Sequence, residues 1–100
     1  MEKNTARLKD LRNEFIDNIE KVAKSKLTLD NEIVFNNPIC VSSDTYWDNR
    51  KVDAMIIGDN GQVFILAEDH EDIGSLVSLT TETLAEIADI IECGNYEIVE

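Results

Sequence analysis

Beyond Lys51 the chain contains no lysine or arginine. Residues 31 to 100 hold fifteen Asp and Glu against only Arg50 and Lys51, whereas residues 1 to 30 hold seven basic and six acidic side chains; the formal net charge is -12. Binding to phosphates draws on cations that release condensed counterions, so a surface this poor in them excludes direct binding of DNA, RNA or anionic lipid. Cysteine is scarce too. Cys40 and Cys93 form no CxxC pair, which argues against a zinc or redox motif and predicts two small buried hydrophobes in a reducing compartment. No apolar run approaches the roughly 18 residues of a membrane helix, and Met1-Glu2-Lys3-Asn4 lacks the apolar stretch of a signal peptide. The expectation is a cytoplasmic protein with no membrane partner.

What is present suits one domain spanning 1–100. Hydrophobic residues make up 43% and charged residues 30%, close to globular averages, and a chain of this length closes a single core. In residues 5 to 26, Leu8, Leu11, Phe15, Ile19 and Val22, widened by Ile16 and Ala23, fall on one helical face. Asn4 or Thr5 is placed to cap that helix, and Lys21, Lys24 and Lys26 lie where cations complement its C-terminal dipole. Asn18 and Ser25 at heptad core positions argue against a coiled coil.

Residues 32 to 42 are rich in β-branched and aromatic side chains interrupted by Pro38, which predicts an edge strand or two short strands bent at Asn36-Asn37-Pro38. A polar loop, Ser43 to Lys51, follows. Val52 to Ile57 and Val63 to Glu68 then form two strand-like runs around Gly58-Asp59-Asn60-Gly61, the signature of a hairpin. If Asn60-Gly61 forms a two-residue turn, Met55 faces Leu66, Ile57 faces Phe64, Ile56 faces Ile65 and Asp53 faces Glu68. Both faces of the ribbon are then apolar, which calls for a cover on the second one: the other helix, the N-terminal segment or another copy.

An acidic loop over 68–75 and a short strand over Leu76–Leu79 lead to a second helix. Thr80 is its N-cap, Leu79 and Leu84 form a hydrophobic staple, and Leu84, Ile87, Ala88 and Ile91 form its buried stripe. Gly94-Asn95 ends it in the left-handed manner of a C-terminal cap, and Tyr96 to Val99 alternates as a last strand. The predicted fold class is α+β, a small antiparallel sheet of three to five strands with an N-terminal and a C-terminal helix packed against it. The hairpin together with Leu79-Thr80-Thr81-Glu82-Thr83-Leu84-Ala85-Glu86-Ile87-Ala88-Asp89 resembles a loose set of small uncharacterised bacterial α/β proteins that end in a similar helix. That likeness implies a bacterial cytoplasmic protein and brings no activity with it.

Chemistry is thinly marked. His70, the only histidine, stands among Glu68, Asp69, Glu71 and Asp72, so Asp69, His70 and Asp72 are candidate metal ligands, but the run lacks the alternation, glycine and distal glutamate of an EF-hand loop and reads as solvated. Asp53 and Glu68, if opposed, read as a polar rim. No nucleophile motif, Walker loop or dinucleotide fingerprint occurs, so neither an enzyme nor a cofactor is expected. Tyr46-Trp47-Asp48-Asn49-Arg50 unites the residue types that dominate binding hot spots. Tyr46, Trp47 and Arg50 are therefore the binding candidates, against a plainer reading in which Trp47 folds back over the sheet.

These features favour a protein-interaction or regulatory module whose partner is a protein of unknown identity or, in a homodimer, a second copy of the chain. Two other readings compete. One is an acidic mimic of nucleic-acid phosphates that inhibits a DNA-binding protein; the other is an enzyme or metal-binding domain built on the His70 loop.

Overall fold

A computed structural model describes residues 2–45, 47–69 and 71–100, with side-chain surroundings described from Asp10 onward. The N-terminal stripe folds as α1 (Glu2–Lys26), which starts ahead of both expected caps, Asn4 and Thr5. Its buried residues are Ile19 and Ala23, continued by Leu27 just past the helix and flanked by half-buried Phe15, Ile16 and Val22. Leu11 is more exposed than the stripe predicts, and Leu8 lies outside the described side chains. The other helix, α2 (Thr81–Cys93), follows its sequence signals closely. The Thr80 hydroxyl accepts from the Thr83 amide at 3.3 Å, Gly94 closes the helix at φ 73°, and Leu84, Ile87, Ala88 and Ile91 are buried.

Between and after the helices run β1 (Glu32–Cys40), β2 (Lys51–Ile57), β3 (Val63–Ala67), β4 (Ile73–Ser75) and β5 (Tyr96–Val99), in an antiparallel sheet of order β4-β3-β2-β1-β5. The fold is α+β, as composition and pattern predict. Successive strands are joined as a meander up to β4, and the chain returns through α2 to add β5 beside β1. Ile33, Met55 and Ile65 lie abreast on three neighbouring strands, all fully buried. They share one core with Ile19 and Ala23 of α1 and Leu84, Ile87 and Ile91 of α2, so both helices cover the same face.

Four local expectations are corrected. The hairpin turn is longer than two residues: the Gly58 amide donates to the Gln62 carbonyl at 2.8 Å and the Gly61 amide to the Gly58 carbonyl at 2.9 Å. Asp59 and Asn60 form the centre of the turn and only Gly61 is left-handed, at φ 82°. A turn of this kind needs one residue with positive φ rather than two, and the Asn60 side chain accepts from the Gln62 amide at 3.0 Å. The register therefore slips by one, so that Met55 pairs with Ile65, Ile56 with Phe64 and Ile57 with Val63. Asp53 falls in a ladder irregularity between Val52 and Ala54 and does not oppose Glu68.

Second, β1 is an interior strand, since β2 and β5 flank it. Pro38 is tolerated because β5 stops opposite Phe35 and the β2 ladder is irregular between Val34 and Ile39, leaving its missing N–H without consequence. Third, the short strand is Ile73–Ser75, carved from the end of the acidic loop. Fourth, Leu76–Ser78 is a 3-10 turn. The Ser75 hydroxyl accepts from the Val77 amide at 3.4 Å, and the Ser78 hydroxyl donates to the Ser75 carbonyl at 2.7 Å, which winds the chain away from the sheet.

Candidate functional site

The loop from Val41 to Arg50 closes on itself, with the Val41 amide donating to the Arg50 carbonyl and the Asn49 amide to the Val41 carbonyl, both at 2.9 Å. Asn49 takes the left-handed conformation at φ 65° that lets the chain double back. This fold places Trp47 over Gly74 of β4: a β-carbon on Gly74 would meet the indole ring at 2.7 Å. Trp47 is only 4% exposed and belongs to the core. It packs over the sheet instead of presenting an anchor to solvent.

Arg50 sits above that ring, 5.4 Å from its centre, and pairs with Asp72 at 2.5 Å and Asp69 at 3.6 Å. The two carboxylates considered as metal ligands thus converge on a guanidinium, whose charge meets the need a divalent cation would meet. Among the described residues, no group of three or more His, Cys, Asp and Glu side chains is arranged to hold a metal ion. Tyr46 and His70 lie outside the described residues. Arg50, Trp47, Asp69 and Asp72 together form a clamp that ties the 41–50 loop to the β3–β4 connection.

A second tie binds the same loop to α2. The Ser43 hydroxyl donates to the Ser78 carbonyl at 2.5 Å, the Ser42 amide donates to the buried Thr83 hydroxyl at 2.8 Å, and the Thr80 amide donates to the Ser42 carbonyl at 3.0 Å. Arg12 of α1 donates to the Val77 and Leu79 carbonyls from the other side. Sequence reasoning missed this role of Arg12. Its only signal is a guanidinium beside the apolar stripe, at the helix position after Leu11.

The other candidate surface is the sheet face opposite the helices. Strand alternation and the observed register bring Val34, Ala54, Ile56, Phe64, Leu66, Ile73 and Val99 onto that face. Ala54 and Leu66 are buried, while Ile73 and Val99 are 54% and 41% exposed. No helix or strand among the described residues lies over it. Polar residues on the same face are Glu32 and Glu97 toward β5, Ser75 on β4, and Cys40 with its partner Lys51 at the far end. The apolar character of β2 and β3 on both sides is legible in the sequence. Its extension through Val34, Ile73 and Val99 is not, because it depends on the strand order.

Where β1 and β5 meet on this face, a groove of about 310 Å³ runs between the face and the turn that precedes β1. Leu29, Ile56 and Val99 supply its apolar part, and Asp30, Glu32 and Glu100 its rim. The turn is fixed by its own hydrogen bonds, the Asn31 side chain accepting from the Thr28 amide at 2.6 Å and donating to the Lys26 carbonyl at 3.1 Å.

No described helix is long and apolar enough to cross a membrane. Comparison with family models, curated proteins and solved structures finds no match to this chain.

Proposed function

We propose that the chain is a cytoplasmic, non-catalytic protein-interaction module whose docking surface is the sheet face opposite the helices. One observation carries this reading: seven apolar side chains on five adjacent strands share the face opposite the helices, and five of them, Val34, Ile56, Phe64, Ile73 and Val99, are half-buried or exposed. A small antiparallel sheet that works alone ordinarily turns polar residues to water on its second face, and contiguous apolar surface marks contact sites. The Trp47 loop supports the module from behind the site. Trp47 and Arg50 are engaged within the chain, on the Gly74 contact and the ion pairs to Asp69 and Asp72.

Site-directed photo-crosslinking in the organism of origin tests the reading. A photoreactive phenylalanine analogue in place of Phe64 or Ile73 gives discrete adducts, while the same analogue in place of Glu86, exposed on α2, gives none. Equal adducts at all three positions, or none at Phe64 and Ile73, would refute it.

A further inference from the structure

We infer that the occupant of the bare face is a segment of another protein in which apolar residues are flanked by Lys or Arg, one cationic side chain lying in the groove between Ile56, Val99 and Leu29 and the carboxylates of Asp30, Glu32 and Glu100. This rests on the reading of that face as a docking surface and adds the chemistry of what docks.

The argument is charge complementarity around an apolar floor. Among the described residues, the only ion pairs join Lys24 to Glu20 and Arg50 to Asp69 and Asp72, so none of the three groove carboxylates is compensated. Glu97 adds a fourth negative charge beside Val34, and the face offers one cation, Lys51, at its opposite end. A Lys or Arg side chain matches both parts of such a groove, because its methylene stem covers apolar surface while its head stays among carboxylates. An occupant with acidic flanks is repelled, as are phosphates and anionic lipid headgroups.

A second copy of the chain is the poorer occupant. It brings the same carboxylates and a net charge of -12. Seven of its nine cations lie in residues 1–30, all within α1, which belongs to the helix layer, and Arg50 is already paired.

The test is panning of a random-peptide display library on the intact chain at physiological salt, with the mass of the chain measured in parallel by light scattering. The expected result is a set of peptides rich in Lys or Arg next to apolar residues. Their affinity falls roughly tenfold in Glu32→Lys and weakens as salt rises, since rim and groove charges are screened. Asp30→Lys and Glu100→Lys, at exposed positions, carry the same reading if Glu32→Lys lowers the melting temperature. Ile73→Asp, on a side chain already more than half exposed, reports on the face independently of the groove.

Peptides lost in Ile73→Asp but indifferent to the three charge reversals would overturn the cationic occupant and leave the docking face standing. Peptides indifferent to all four substitutions, or no selection at all, would sink both. A dimer that Ile73→Asp returns to monomer would make the occupant a second copy and overturn this inference alone.

Discussion

The two faces of the sheet are built from the same kinds of residue and end in different states. On one, Ile33, Met55 and Ile65 are fully buried beneath two helices; on the other, Ile56 and Phe64 are half-buried, and Ile73 and Val99 meet water. Apolar composition therefore does not decide which side of a strand becomes core. The decision is made by the helices, whose stripes are narrow enough to cover one face and which pack against each other as well as on the sheet. Truncation should expose the contrast most strongly. Ile65→Ala empties a site sealed by both layers and is expected to cost about 2–5 kcal/mol, whereas Ile73→Ala is expected to stay within about 0.5 kcal/mol. Urea unfolding of both variants measures the difference, and equal losses would mean that the bare face is covered in solution.

A smaller effect sharpens the same comparison at the margin of the sheet. Gly74 lies on the helix side of β4, paired with Ile65, and a methyl group there meets the indole of Trp47 at 2.7 Å. Gly74→Ala must displace a buried aromatic ring or bend the edge strand, an overpacking cost of about 1–3 kcal/mol. Because Trp47 is the only tryptophan, its fluorescence reports the displacement directly as a shift to longer wavelength. Gly74→Ala with an unshifted emission maximum and unchanged unfolding midpoint would break the packing described for the 41–50 loop.

How much of this was legible in the sequence follows from the range of the interactions involved. α2 could be read almost residue by residue, because a Thr80 cap, a Leu79–Leu84 staple and a Gly94 terminus act within a few residues of one another. The hairpin was legible as a hairpin, but its register was not. Asp59-Asn60-Gly61 serves both a two-residue turn and the longer one observed, and the choice moves every β3 side chain to the other face. β1 read as an edge strand because Pro38 is visible locally, whereas its second neighbour, β5, arrives some sixty residues later. The choice between the two readings of the 41–50 loop was hidden for a related reason: Trp47 and Arg50 have hot-spot chemistry, but Gly74, Asp69 and Asp72, against which they pack, lie nineteen or more residues along the chain. The bare face was foreseen as an excess of apolar residues, and only the strand order shows where it extends.

The finest test of the two-sided description uses the two thiols, which report on opposite layers. Cys40 pairs with Lys51 and lies on the bare face, while Cys93 ends α2 in the helix layer, and both are exposed, which corrects the expectation that they are buried. Asp89, one helical turn earlier, accepts a hydrogen bond from the Cys93 thiol at 3.7 Å, and its negative charge, helped by that of Glu92, raises the thiol pKa above its ordinary value. A raised pKa leaves less thiolate at a given pH, and the thiolate is the species that alkylates. Modification of Cys93 by iodoacetamide should therefore be slow near neutrality, rise with pH later than for an ordinary thiol, and quicken in Asp89→Asn. The rate at Cys40 should not respond to Asp89→Asn, but it should fall when a partner or peptide seats on the bare face. If the occupant slowed Cys93 and spared Cys40, docking would be on the helices and the assignment of the two faces would have to be exchanged.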